Sequence, residues 1–226
     1  MSVSPLAEDP PVEADRRSVD WYSFSKRALD LLLGGIAFLF ALPVVTLAAV
    51  ATAIDSPGPV FFRQERVGVR GRTFTMWKLR TMVAGNDDTV HREYVRAMLS
   101  GDASLEEGAS GLHKLDDRRI TCVGRILRRT SIDELPQLLN VLRGDMSLVG
   151  PRPCLPWEVE LYSPANRIRF DVKPGMTGLW QVSGRSRLPM TRALELDRAY
   201  ALRRSLLTDL KILLKTIPAV LERDAA

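Results

Sequence analysis

LLLGGIAFLFALPVVTLAAVATAI, Leu31 to Ile54, is the stretch on which the architecture turns: 24 residues without a charge, bounded by Asp30 and Asp55. As one straight helix it would extend roughly 36 Å, enough to cross a hydrocarbon core of about 30 Å. The chain of 226 residues is 46% hydrophobic, yet its mean hydropathy is only −0.04, so the apolar excess is concentrated in this one segment. A cleavable signal peptide is a poor fit, because the run is too long and no A-x-A site leads into a polar mature sequence. Pro43 lies in the middle of the run, where its missing N–H and its ring predict a break or kink. Two topologies follow: a kinked single span, or a helix-break-helix that enters and leaves by the same face. Lys26 and Arg27 flank the N side, while Arg63, Arg66, Arg70, Arg72, Lys78 and Arg80 follow on the C side. The larger basic load places the C side in the cytoplasm. Basic residues on both flanks suit the re-entrant form, and the charges leave both topologies open.

Net charge is +5, but residues 1–20 carry −3, leaving +8 on the remainder. That balance favours anionic partners such as lipid headgroups, nucleotides or nucleic acid. Cys122 and Cys154 have neither metal-ligand spacing nor the density of a disulfide scaffold, and read as reduced structural thiols. With His91 and His113 the only histidines, a zinc site is not expected.

Outward from the apolar run, residues 1–20 are polar and acidic and read as a disordered tail. Trp21, Tyr22 and Phe24, followed by Lys26 and Arg27, look like interfacial anchors. After a turn at Asp55-Ser-Pro-Gly-Pro, VFFRQERVG and RTFTMWKLRTM alternate as two strands joined near Gly68 to Gly71. Asn86 to Ser100 reads as a short charged helix and Gly101 to Gly111 as a loop. Asp133 to Arg143 is helical, with Leu135, Leu138, Leu139 and Leu142 on one face and Gly144 as the stop. Lys173 to Gly178 is turn-rich and leads to LWQVSGRS, a short strand and loop. Glu195–Arg204 and Leu206–Leu221 look helical. In the latter, Leu206, Leu207, Leu210, Leu213, Leu214 and Ile217 oppose Asp209, Lys211 and Lys215, a stripe fit for a core or for a membrane interface. The fold class expected is α+β and mostly helical: a tail over 1–20, a membrane anchor over 21–55 broken at Pro43, and a cytosolic domain over 56–226 with a short β-hairpin and interfacial amphipathic helices.

Chemistry concentrates in RRTSIDELPQLLNVLRGDMSLVGPRP, Arg128 to Pro153. Asp133 and Glu134 stand adjacent at a helix start with arginines on both sides. Ser131-x-x-Glu134 matches a capping box, but Pro136 would then fall deep enough in the helix to delete a needed hydrogen bond. Starting at Asp133 puts Pro136 in the first turn and makes Asp133 itself the cap. Capping and catalysis are both open for this pair. In the catalytic reading, helix-start N–H groups attract phosphate and keep a carboxylate ionised. An ionised aspartate can attack phosphorus, and a neighbouring glutamate can hold Mg²⁺. Arg128, Arg129 and Arg152 offer bidentate forks to phosphate oxygens. Lys78 and Arg80 alternate along a strand and share a face, as a phosphate clamp or a solvated basic face. Arg185 and Arg187 present the same pair of readings on a loop.

These motifs occur in an order that resembles the bacterial sugar transferases, of the small monotopic phosphoglycosyl transferase kind. Lys26-Arg27-x-x-Asp30 and Pro43 come first, then Ser56-Pro-Gly-Pro-Val-Phe-Phe-Arg-Gln-Glu-Arg-Val-Gly68 and Lys78-Leu-Arg-Thr-Met82. Ser131-Ile-Asp-Glu-Leu-Pro-Gln137, Gly144-Asp-Met-Ser-Leu-Val-Gly-Pro-Arg-Pro153 and Pro174-Gly-Met-Thr-Gly-Leu-Trp-Gln181 complete the series. The resemblance runs from about Ser25 to Pro218. It implies transfer of a sugar-1-phosphate from a UDP-sugar to polyprenyl (undecaprenyl) phosphate at the cytoplasmic face of the inner membrane, with release of UMP, at the start of a surface or exported polysaccharide. By position it implies Asp133 as nucleophile in a ping-pong scheme and Glu134 as its partner and Mg²⁺ ligand. Lys78, Arg80, Arg128, Arg152 and Arg185 are the expected phosphate-binding residues. Lys26, Arg27, Asp30 and Pro43 are assigned to the anchor, which the resemblance implies is re-entrant. Some members carry Ser-Pro at the break where this chain has Leu42-Pro43, so the angle of the kink does not carry over. A homodimer is left open.

Two other classes compete. A membrane-anchored basic binding protein would explain charge and anchor but not the Asp133–Glu134 pair between arginines. A nucleotide-sugar glycosyltransferase would release UDP instead of UMP. Nucleic acid is not an expected partner, since no recognition-helix motif is present.

Overall fold

The structure, a computed structural model, describes residues 16–83, 92, 119–184 and 188–221. The expected helix over 86–100 and the loop over 101–111 lie outside the described residues apart from Arg92. α1 (Arg16–Asp55) contains the whole apolar run and begins inside the segment expected as a disordered tail. It continues through Pro43 as one helix, so the break expected there does not interrupt it. Proline removes one N–H from the ladder; the rest of a 40-residue helix and its packing along one side hold the segment together.

That packed side is a strip of small residues. Asp30, Gly34, Ala41, Ala48 and Thr52 are buried and recur at spacings that return to one face of a helix. A Cβ on Gly34 would come within 3.3 Å of Val141 Cγ1, so glycine sets the close approach there. The other side exposes Leu32, Leu39, Phe40, Leu47 and Ile54, each more than 60% accessible. A contiguous apolar face of that kind needs lipid or a partner to cover it.

β1 (Phe61–Val67) and β2 (Thr73–Leu79) form the expected hairpin, antiparallel with Phe62 opposite Lys78. α2 (Cys122–Thr130) is capped by Thr121, whose side chain accepts from the Gly124 N–H. Ser131 then adopts a left-handed conformation, φ 57°, and turns the chain into a 3-10 helix, Ile132–Gln137, followed by α3 (Leu138–Arg143). Neither expected cap is present: the Ser131 side chain caps nothing, and Asp133 lies inside the 3-10 helix. Pro136 sits ahead of α3, so its missing N–H interrupts no α-helical bond.

β3 (Ser147–Val149) pairs in parallel with β4 (Gly175–Thr177). The strand expected within LWQVSGRS is therefore found just before it, in the turn-rich segment, and residues 180–184 form turns. Glycine explains the shift: a Cβ on Gly175 would lie 2.1 Å from the Gly150 backbone nitrogen, so only a bare backbone fits beside β3. α4 (Met190–Arg203) and α5 (Leu206–Leu221) close the chain, α4 starting earlier than Glu195. Ala41 of α1, Met76 of β2, Leu138 and Val141 of α3, Leu148 and Val149 of β3, Tyr200 of α4 and Ile212 of α5 share one core. The segments read as anchor and as cytosolic domain are thus packed as one body.

Most of the stripe on α5 is not core, although Leu213 packs against the core. Leu207, Leu210, Leu214 and Ile217 are exposed. Asp209, expected on a solvated face, is fully buried. It receives hydrogen bonds from Tyr22 (3.0 Å) and Tyr200 (2.7 Å) and pairs with Lys26 at 3.1 Å. A buried carboxylate persists only with such partners.

Candidate active site

The sharp reversal at Ser131 puts Arg128, in the last turn of α2, close to Asp133, at the start of the 3-10 helix. The 3-10 helix packs against β2, which brings Lys78 to Glu134. Lys78 Nζ donates to Glu134 Oε1 at 2.7 Å, and an Arg152 guanidinium nitrogen reaches the same oxygen at 3.5 Å. No hydrogen bond reaches Oε2 from the described residues. Asp133 is 7% exposed, and its carboxylate makes no hydrogen bond or ion pair with any described residue. One carboxylate is pinned between two cations; its neighbour is buried and free.

Environment separates the two acids. Burial pushes Asp133 up to about 6, with Glu134 adding to the rise and Lys78, Arg128 and Arg152 opposing it. Burial pushes Glu134 up as well, but Lys78 and Arg152 overcome it and hold that carboxyl down to about 2. Asp133 is then the group that titrates near physiological pH. If its ionised form is the attacking species, kcat/KM should rise with pH through about 6 and then level, while Glu134 stays charged throughout. Stability runs the other way. A carboxyl whose folded value is raised favours the fold while protonated, so ionising Asp133 removes stability as pH climbs from the usual carboxylate range to about 6. Rate and melting temperature measured together over pH 4.5–8 check both signs.

Arg128 donates from Nε to Thr81 Oγ1 at 3.0 Å, which fixes the base of its guanidinium beside the pair. Arg152, nearly half exposed, is steadied from behind: Arg169 donates to the Arg152 carbonyl at 2.6 Å. Arg66 was read only as part of a basic flank. It lies half-buried near Arg152, donating to the Pro153 carbonyl, and desolvation with Arg152's charge lowers its pKa to about 10. Arg169 carried no signal at all, since a lone arginine in a polar segment does not announce a buried partner.

Arg80 is brought elsewhere. It is buried, and its guanidinium donates to the carbonyls of Pro57 (3.0 Å) and Ser56 (2.6 Å), and to Ser56 Oγ. It follows β2, which ends at Leu79, and its cation closes the C-terminal end of α1. Arg80→Leu should therefore cost about 2–4 kcal/mol of stability and leave KM for the donor unchanged. Thermal unfolding and steady-state kinetics separate those outcomes. Arg185 and Arg187 lie outside the described residues.

The Lys26-Arg27-x-x-Asp30 motif clasps α1 to the rest of the body. Arg27 donates to the Val141 and Leu142 carbonyls at the end of α3 (2.6 and 2.7 Å), where the helix dipole favours a cation. Asp30 accepts from Ser147 Oγ and the Leu148 N–H, both at 3.0 Å.

Among the described residues no cluster of three or more His, Cys, Asp or Glu could hold a metal ion by itself. Mg²⁺ commonly takes one or two carboxylates and completes its shell with water and substrate phosphates. Asp133 and the open oxygen of Glu134 provide that hard donor set, so the site fits an ion shared with substrate and not a caged one.

A free buried carboxylate beside a pinned one, ringed by Lys78, Arg128 and Arg152, suits attack on a phosphorus whose oxygens are held by cations. The sequence relatives agree in kind. The model of the family described as bacterial sugar transferase matches residues 21–223. The exopolysaccharide production protein ExoY of Sinorhizobium fredii is 42% identical over 196 residues, covering 87% of this chain and 85% of the relative. The UDP-glucose:undecaprenyl-phosphate glucose-1-phosphate transferase of Caulobacter vibrioides is 42% identical over 209 residues, covering 89% of this chain and 71% of the relative. The undecaprenyl-phosphate galactose phosphotransferase of Salmonella typhimurium is 39% identical over 204 residues, 90% of this chain but 42% of the longer relative.

Proposed function

The chain belongs to the bacterial sugar transferases and is a phosphoglycosyl transferase, and we propose that it moves a hexose-1-phosphate from a UDP-sugar to undecaprenyl phosphate, releasing UMP, through a covalent intermediate on Asp133. The observation that carries this reading is the contrast within the acid pair: Asp133 buried and unpartnered, Glu134 held by Lys78 and Arg152. An Asp133 oxygen attacks the phosphorus that bears the sugar. The bond from that phosphorus to the bridging oxygen breaks, and its electrons leave with UMP. Polyprenyl phosphate then attacks the same phosphorus, forming the diphosphate and returning the carboxylate. A two-step route lets a soluble and a lipid-borne substrate use one site in turn.

Lys78, Arg128 and Arg152 bind and orient the diphosphate oxygens, and Lys78 and Arg152 together keep Glu134 ionised. Glu134 and Asp133 would hold Mg²⁺, which when bound neutralises the phosphate charge that would otherwise repel the nucleophile.

The packing of α1 supports a monotopic placement. Lys26 and Thr52, roughly 39 Å apart along a straight helix, both pack on one body, at Asp209 and at Arg80. A single span would drag that charged body across the bilayer. We therefore place both ends of α1 on the cytoplasmic side, with its exposed apolar face, and that of α5, in the membrane.

The test is the identity of the nucleotide released. Full-length protein in nanodiscs receives undecaprenyl phosphate, Mg²⁺ and a panel of UDP-sugars. Lipid-dependent UMP from UDP-glucose or UDP-galactose is the expected result. Release of UDP would mean cleavage of the sugar–oxygen bond and would refute the scheme.

A further inference from the structure

A second cavity, of about 370 Å³, opens where the first third of α1 meets the hairpin turn, Lys173 and the end of α4. Its size suits a small ligand. Six of its lining side chains are cationic, Lys26, Arg27, Arg70, Arg72, Lys173 and Arg204, against two acids, Asp30 and Asp171. None of Asp133, Glu134, Lys78, Arg128 and Arg152 lines it.

Some of that charge is spent inside the fold. Lys26 pairs with Asp209, Arg27 is tied to α3, and Arg204 donates to the Ala201 carbonyl. Asp30, in turn, is consumed by Ser147 and Leu148. The side chains of Arg70, Arg72 and Lys173 remain: none of the three makes a hydrogen bond or ion pair with a described residue. Lys173 Nζ and an Arg27 guanidinium nitrogen stand 3.4 and 3.5 Å from the Cβ position of Gly144, so two cations crowd one spot. Burial and Arg27's charge depress the Lys173 pKa, against the opposing pull of Asp30 and Asp145. Arg70 has φ 56°, a left-handed conformation that a non-glycine residue adopts at a cost. That conformation places an arginine in the cavity wall.

We propose that this cavity binds the phosphate group of an anionic ligand, at a site separate from the Asp133–Glu134 pair. Lys173, Arg70 and Arg72 supply the unpaired donors, and Lys26 and Arg27 the surrounding field. The phosphate has two sources of the same chemistry: the headgroup of an acidic phospholipid, or a free phosphate ion. Exposed Trp21 and Phe24 lie within a turn of Tyr22 and Ser23 in the cavity wall, and exposed Leu202 and Leu206 flank Arg204, so a bilayer surface is close at hand.

Titration calorimetry on the full chain in detergent tests this with three probes: soluble dihexanoylphosphatidylglycerol, sodium phosphate, and dihexanoylphosphatidylcholine as the uncharged-headgroup control. Wild type is compared with Arg70→Gln/Arg72→Gln, two exposed turn positions, and separately with Lys173→Gln, so the inference does not hang on one variant folding. Loss of two charged donors should weaken phosphate-group binding about tenfold or more, with UMP release unchanged. Weakened phosphatidylglycerol binding in both variants, with no binding of sodium phosphate, identifies a lipid headgroup. Weakened sodium phosphate binding of comparable affinity identifies a site for the free ion. Equal affinity of wild type and both variants for the anionic probes, no binding of either, or phosphatidylcholine binding as tightly as phosphatidylglycerol overturns the proposal. Each result stands whether or not the protein turns over UDP-sugars.

Discussion

Asp133→Asn is expected to lower UMP release by at least about 10³-fold, because it removes the nucleophile and not an auxiliary contact. The substitution keeps the shape of the side chain and removes a charge that burial already disfavours. The melting temperature at pH 7 should therefore hold or rise, which separates lost chemistry from lost fold. Intact-mass analysis after mixing wild type with the correct UDP-sugar, without lipid acceptor, should show an adduct with the mass of the sugar phosphate. The variant should show none. An Asp133→Asn protein that still forms the adduct would move the nucleophile to another residue. Glu134→Gln offers the informative contrast. It leaves Lys78 and Arg152 without the carboxylate they share, so it should impair the rate while leaving an adduct detectable at long times.

The second large effect lies behind the site. Arg169, 6% exposed, pairs with Asp197 at 2.8 Å, donates to Tyr162 Oη at 2.9 Å and to the Arg152 carbonyl at 2.6 Å. Tyr162 in turn donates to Glu158, also buried. Burial works against the charge on Arg169, but Asp197 holds its pKa above the ordinary arginine value. Arg169→Met strands Asp197 in an apolar setting and frees the Arg152 backbone. Breaking one side of a buried pair costs about 3–5 kcal/mol. Chemical denaturation should register that loss, and KM for the UDP-sugar should rise as Arg152 loosens. Arg169→Met/Asp197→Leu should recover part of the stability, since no buried charge is then left alone, without recovering KM. A single variant that loses under about 1 kcal/mol with unchanged KM would remove Arg169 from any positioning role.

Much of this was legible in the chain. Alternation over VFFRQERVG and RTFTMWKLRTM predicted the hairpin, because a two-stranded ladder is a local object whose period shows in the residues themselves. The 24 uncharged residues before Asp55 predicted α1 for the same reason. Asp133, Glu134 and the arginines around them stood out as acids among cations. Arg80 and Asp209 were misread because alternation and helical period tell which residues share a face, not what that face meets. Arg80 met the carbonyl end of α1, and Asp209 met Lys26 and Tyr22 from the far end of the chain, with Tyr200 from the neighbouring helix. The strand at Gly175–Thr177 hid among turn residues, since its glycine serves the close approach of Gly150.

The sequence by itself determined the local elements, the apolar segment and the residue types of the site, since each is written in composition or in short periods along the chain. Tertiary structure alone decided that Asp133 is free while Glu134 is bound, that Arg169 stands behind Arg152, and that Lys173 shares a cavity with Arg70 and Arg72. Those differences come from burial and from charges brought together across 17 to more than 100 residues of sequence. No local pattern carries them, because the energy of a charge depends on what folding places beside it.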